Sequence, residues 1–210
     1  INIINNMVNT CISDYLKAVI SNVTMFKRSS NNFCLYKSDI LKIIKNFQEN
    51  CFDISITSPP YGENATTVPY GQFSMLSLYW IDSNDLELDG WELDNYSKID
   101  NASLGGKKRI PNFSTFELSL LKPYLNQISN CKKQKVINFF DDYFEFLTEL
   151  CRVTNKYIVM TLGNRTVDGI NINLTDITRE YLEYNNFINI DLGKRKILQK
   201  RIPYKTSNVN

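Results

Sequence analysis

The sequence predicts an α/β fold whose sheet is mostly parallel and is closed by an antiparallel hairpin. Three observations carry this expectation. Residues 54–57 form a short apolar run that stops at a rigid corner, Ser58-Pro59-Pro60-Tyr61. Upstream, residues 35–40 read as another short strand ending in an acid, Asp39, with a helical stretch, 41–50, between the two. Downstream, residues 136–153 place Ile137, Phe140, Phe144, Leu147, Leu150 and Cys151 at helical spacing, and they run into 157–162, an apolar stretch of a length that suits a buried strand. Strand, helix and strand in succession make a parallel unit. Polar residues at both strand ends put Asp39 and Ser58 on the edge where open α/β sheets bind ligands.

The remaining elements follow from periodicity and breakers. Residues 10–27 read as a helix with Ile12, Tyr15, Leu16, Val19, Ile20 and Val23 on one face, followed by a polar loop, 28–32. The aromatic, Leu-rich segment 73–81 reads as a short buried helix. Its Tyr79-Trp80 pair is assigned to the core, as is Phe139-Phe140. Residues 82–135 are polar and weakly periodic, broken by Gly90, Gly105, Gly106, Pro111 and Pro123. They are expected to be an insertion within a single domain spanning 1–210. After 157–162 come a loop, 163–174, a helix, 175–184, and two strands, 187–192 and 196–202, that form a closing hairpin around Gly193-Lys194-Arg195.

Composition sets the outer bounds. The chain has 210 residues and 43% apolar content, enough for one full core. Its 24 basic and 22 acidic residues nearly cancel, so any basic surface must be local. No apolar stretch approaches a membrane span and no secretory pattern opens the chain, which predicts a cytoplasmic protein. The five cysteines (Cys11, Cys34, Cys51, Cys131, Cys151) are scattered and there is no histidine, so neither a zinc site nor a histidine-based triad is expected. Triplets such as Asn22-Val23-Thr24 arise by chance in an Asn-rich chain and predict no glycosylation.

The corner has a chemistry of its own. Consecutive prolines cannot continue a sheet or enter a helix interior, so the chain turns out of the strand with fixed φ angles. The residues before Pro59 and Pro60 are held extended, which leaves the carbonyls of Ser58 and Pro59 without helical partners and able to accept hydrogen bonds. A planar NH2 group suits such acceptors together with the Ser58 hydroxyl, while the Tyr61 ring offers a face for stacking. A flipped nucleobase has both parts. The competing reading is a structural Pro-Pro turn with Tyr61 as a packing residue.

Thr57-Ser58-Pro59-Pro60-Tyr61 resembles the catalytic motif of S-adenosylmethionine-dependent DNA amino-methyltransferases, which methylate N4 of cytosine or N6 of adenine. The continuation from Gly62 to Ser74, the segment Ser103-Leu104-Gly105-Gly106 and the later Gly163-Asn164-Arg165 are also similar to one branch of these enzymes. The resemblance covers most of the chain from about Phe33 to Pro203. It implies the C-terminal part of a Rossmann-like class I methyltransferase sheet, with Ser58, Pro59, Pro60 and Tyr61 as catalytic residues and Asp39 and Thr57 facing the cofactor. It further implies double-stranded DNA as partner and a base extruded onto Tyr61. Unstacking costs a few kcal/mol; stacking on the ring returns about 1–3 kcal/mol. Ser as the first residue of the tetrad leans toward cytosine N4.

The glycine-rich S-adenosylmethionine loop of that family, of the type Phe-X-Gly-X-Gly, matches no stretch of this chain. Together with the start at Ile1, this predicts a catalytic fragment, or one subunit of a split enzyme completed by a second chain carrying the glycine loop. Expected substrate contacts are Thr66, Thr67 and Gln72 beyond the corner, the cluster Lys107-Lys108-Arg109, and Arg165 after the strand 157–162. Lys132-Lys133 with Lys135, and Lys194-Arg195-Lys196 with Lys200-Arg201, are further basic clusters. Two other readings are a noncatalytic nucleic-acid-binding subunit and an RNA amino-methyltransferase, whose motif usually opens with Asn or Asp.

Overall fold

Aromatic and aliphatic residues at helical spacing make the longest element the spine of the structure. The computed structural model describes residues 13–14, 16–17, 34, 36, 38–62, 71, 73–74, 103–106 and 110–194. Contacts group the chain into two units, Ile1–Ser38 and Asp39–Asn210. In the first, Ser13, Asp14, Leu16 and Lys17 are helical, and Lys17 pairs with Asp14 at 3.6 Å. The rest of the expected helix 10–27 lies outside the described residues.

The second unit opens with α1 (Ile40–Ile43) and a 3-10 turn (Ile44–Asn46), followed by β1 (Phe52–Thr57). Next come α2 (Thr115–Leu125), α3 (Asn130–Val153) and β2 (Thr154–Met160). A hairpin of β3 (Arg165–Val167) and β4 (Ile170–Ile172) leads to α4 (Leu174–Tyr184). β1 and β2 pair in parallel, Ile54 opposite Tyr157 and Thr57 opposite Met160, with a register shift between Phe52 and Ile54. The mixed α/β class, the parallel pairing and an antiparallel hairpin are thus all present. Among the described residues no helix is long and apolar enough to cross a membrane.

α3 buries Phe139, Phe140, Tyr143, Phe144, Leu147 and Leu150 against α2, the β3–β4 hairpin and α4. Its rings meet edge-on and stacked, Phe140 against Phe139 at 5.2 Å and Phe144 against Tyr181 of α4 at 5.0 Å. Buried hydroxyls are paired: Thr178 donates to the Leu174 carbonyl (2.7 Å), which leaves Tyr143 to donate to Thr178 at 2.7 Å. Burial pushes the Tyr143 phenol above its usual range and the Cys151 thiol up to about 12, so both stay protonated. Arg152, at the end of α3, donates to the carbonyls of Phe47 (2.8 Å) and Ile44 (3.0 Å), satisfying the open end of the 3-10 turn.

Several sequence expectations change. The strand expected at 35–40 is not formed, since Tyr36, Ser38 and Asp39 belong to no strand. Asp39 instead caps α1, its carboxylate accepting from Leu41 N at 3.0 Å, because a short acidic side chain before an apolar helix satisfies an orphan N–H. The helix expected over 41–50 ends at Asn46, and the chain then turns through Asn50 at φ 55°. Within the expected insertion, 82–135, the part from Ser114 on carries a regular helix and adds three residues to the core. A capping box closes α2, with Glu117 N to Ser114 Oγ at 3.2 Å and Ser114 N to Glu117 Oε2 at 2.6 Å, and Leu120, Leu121 and Ile128 are buried. Pro123 sits in the last turns of α2 rather than breaking it.

The hairpin also lies elsewhere. Residues 187–192 form no strand, and Ile188 and Ile190 are exposed; Lys196 to Ile202 lie outside the described residues. A left-handed Asn186 ends α4, with Phe187 N on Leu182 O at 2.9 Å and Asn186 N on Glu183 O at 3.1 Å, the paired bonds of a Schellman stop. The loop expected at 163–174 holds the observed hairpin. Asp168 (φ 52°) and Gly169 (φ 77°) are both left-handed at its tip, the backbone a two-residue turn needs to match strand twist.

Asp168 has a second task. Its carboxylate accepts from Ser129 N (3.0 Å) and Ser129 Oγ (2.5 Å) and pairs with Lys132 at 2.5 Å, so the hairpin tip holds the N-terminal end of α3. The hydrogen bond from Lys132, then those from Ser129, lower its pKa from 3.8 to about 2. A depressed carboxylate pKa gives stability that is full above 3.8 and lost as pH falls toward about 2. Asp168→Asn is therefore expected to lower the melting temperature at neutral pH, and the gap to the unmodified chain should close as thermal melts are repeated down to pH about 2. Leu147→Ala, at a fully buried position, is expected to cost about 2–5 kcal/mol in urea unfolding.

Candidate functional site

Both strands of a parallel pair end at the same edge, so the loops that follow them emerge together. The ladder extends past the strands, with Thr161 N donating to Thr57 O at 3.0 Å. From that shared base the corner Ser58-Pro59-Pro60-Tyr61-Gly62 leaves β1, and Thr161-Leu162-Gly163-Asn164 leaves β2 toward β3. One further polar link holds the strands in place: Thr154 donates to Leu150 O (2.6 Å), and its hydroxyl meets that of Ser55 at 2.6 Å.

Within the corner, Pro59 and Gly62 are buried, Pro60 is half-buried, and Ser58 and Tyr61 are exposed. The Ser58 hydroxyl has no hydrogen-bond partner among the described residues and stands open as donor and acceptor. Tyr61 keeps 40% of its surface exposed. The ring rests against the Gly163 backbone: a Cβ built on Gly163 would lie 2.8 Å from its Cδ2 and Cε2. Tyr61 and Arg165 line a crevice together with Phe139 and Phe140 of α3, with an open volume of about 10 Å³, room for one water at most.

The sequence-derived residues divide as follows. Arg165 is brought to the corner, its side chain lying across Gly62. Thr57 is half-buried at the end of β1 with its carbonyl engaged by Thr161 N. Asp39 is exposed and engages one carboxylate oxygen in capping α1. Thr66, Thr67, Gln72, Lys107, Lys108 and Arg109 lie outside the described residues. Of the basic clusters, Lys132 is engaged by Asp168. Among the described residues no group of His, Cys, Asp or Glu side chains gathers to hold a metal. Gly62 and Gly163 were not singled out from sequence as contact positions. They stand in segments that carry the family resemblance, but nothing in those segments shows what each glycine meets, because its partner is about a hundred residues away.

No protein-family model matches this chain, and no solved structure matches it. The chain is 34% identical over 184 residues to Type II methyltransferase M.MvaI of Kocuria varians, an alignment that takes in 83% of the chain and 39% of that relative. It therefore spans well under half the length of the relative it matches.

Removing the ring should bare the crevice it shares with Phe139 and Phe140. Tyr61→Ala is expected to lower the melting temperature by a few degrees in thermal melts, as the apolar crevice loses its ring.

Proposed function

We propose that this chain is the catalytic portion of a DNA methyltransferase that acts on the exocyclic amino group of a flipped base, with cytosine N4 favoured over adenine N6. The observation that carries the reading is the corner itself: an open Ser58 hydroxyl and a half-exposed Tyr61 ring held at the ligand edge of a parallel strand pair. The 34% identity to a protein named a Type II methyltransferase supports it. A restriction-modification context follows from the same likeness.

In this reading the base stacks on the outer side of Tyr61, and its amino group donates to Ser58 and to the Pro59 carbonyl. Those two bonds draw the nitrogen toward tetrahedral geometry and release its lone pair from the ring. The work of the corner is orientation and electrostatics. S-adenosylmethionine, the methyl donor the reading calls for, supplies a sulfonium-bound methyl carbon open to attack by such a lone pair. As the methyl group is gained, the nitrogen sheds a proton to solvent, and Ser58, as an acceptor, lies on its way out.

The described residues do not by themselves make a cradle for that donor. Asp39 caps a helix, the Thr57 carbonyl serves the ladder, and among the described residues no cluster of glycines lies between a strand and a helix. Completion by a further polypeptide part carrying a glycine-rich loop is thus part of the proposal. The outer face of the β1–β2 pair supports it, since Ile54, Ile56, Tyr157 and Val159 share that face and Ile56 is 79% exposed. An apolar sheet face of this kind needs a covering layer.

The test is methyl transfer from radiolabelled S-adenosylmethionine to duplex DNA, by the chain alone and by the chain joined to its completing part. Transfer is expected only from the completed enzyme. Ser58→Ala in that enzyme should reduce kcat by about 10²-fold. DNA binding that is indifferent to the cofactor and to Ser58→Ala, with no transfer to any DNA, would leave the noncatalytic binding subunit as the answer.

A further inference from the structure

Gly62 and Gly163 stand on different loops, and each gives room to a side chain from the other. A Cβ on Gly62 would lie 2.2 Å from Nη1, 2.5 Å from Cδ and 2.9 Å from Cζ of Arg165. On Gly163 it would lie 2.8 Å from Cδ2 and Cε2 and 3.2 Å from Cγ of Tyr61, so neighbouring ring carbons bear on that one backbone position. Neither glycine is among the residues with positive φ. The fold therefore uses their missing side chains and not their conformational freedom. The residue between Gly163 and Arg165 holds the second loop still. Asn164 Oδ1 accepts from both the backbone N and the Oγ1 of Thr175, each at 3.2 Å, tying the loop to the first turn of α4.

We infer that Gly163, Asn164 and Arg165 form a positioning clamp that fixes the Tyr61 ring and leaves only its outer side for a planar ligand. The identity of that ligand as a nucleobase rests on the function proposed above; the clamp itself rests on the crossed packing. Gly163 backs the ring, Arg165 lies along the Gly62 backbone and stops the corner from swinging outward, and the crevice below is too small for the ring to tilt inward. This assigns Arg165 a positioning role in place of the substrate contact expected from sequence. The two roles separate cleanly: a phosphate contact needs its charge, whereas the clamp needs its place against Gly62.

The experiment introduces a fluorotyrosine at position 61 of the full chain and follows its ¹⁹F resonance in Gly163→Ala, Arg165→Ala, Arg165→Lys and Gly62→Ala. Each variant should shift or broaden the resonance. Gly62→Ala, which displaces Arg165 but keeps its charge, should reproduce the effect of Arg165→Ala, and the double variant should add nothing further. Arg165→Ala introduces no clash, so it keeps the test decisive if Gly163→Ala fails to fold. In the completed enzyme the same variants should lower kcat about tenfold or more while KM for DNA moves less than about twofold. An unchanged resonance in both Gly163→Ala and Arg165→Ala overturns the clamp. So does a raised KM with unaltered kcat in Arg165→Ala that Arg165→Lys restores. If no form of the enzyme transfers methyl groups, the function proposed above falls, and the resonance alone still decides the clamp.

Discussion

The parallel pairing of β1 with β2 is the constraint on which the rest depends. Parallel strands end at one edge, and the bond from Thr161 N to Thr57 O carries the ladder to the base of both following loops. Antiparallel pairing would put the corner and Gly163-Asn164-Arg165 at opposite ends of the sheet. The crossing segment between the strands contains α3, whose buried aromatic face covers the inner side of the pair through Ile158 and Met160. One hydrogen-bonded register thus sets which residues meet at the corner, which sheet face packs, and which face is left bare.

Polar contacts fix the placement that apolar packing leaves loose. Hydrophobic burial is non-directional, so a helix with a broad aromatic face could slide or rotate at modest cost. Arg152 stops this at one end of α3 by bonding the carbonyls of Ile44 and Phe47. Asp168 stops it at the other by holding Ser129 and Lys132. The second tie originates in a hairpin tip, so the segment that carries Arg165 to the corner also anchors the helix beneath it.

Elements whose identity rests on local pattern were legible in the sequence. The corner strand, the helix over 136–153, the strand that follows it and the helix at 175–184 all appear, displaced by a few residues at their ends. The misread elements each held a local signal outweighed by another. Asp39 suits a strand end but is an equally good helix cap, and within the polar stretch 82–135 Ser114 and Glu117 spell a capping box that starts a helix. Asp168-Gly169 is a hairpin turn signal, but the strands it joins are three residues each, too short for alternation to show.

By itself the sequence determined the chemistry of the corner. Two prolines fix the backbone wherever the chain goes, and Ser58 and Tyr61 bring their hydroxyl and ring with them. Only the tertiary structure decided what that ring rests against, because the answer depends on residues about a hundred positions apart. Gly163 backs Tyr61 and Arg165 lies on Gly62 since two parallel strands end together. No periodicity or spacing within either loop encodes that meeting.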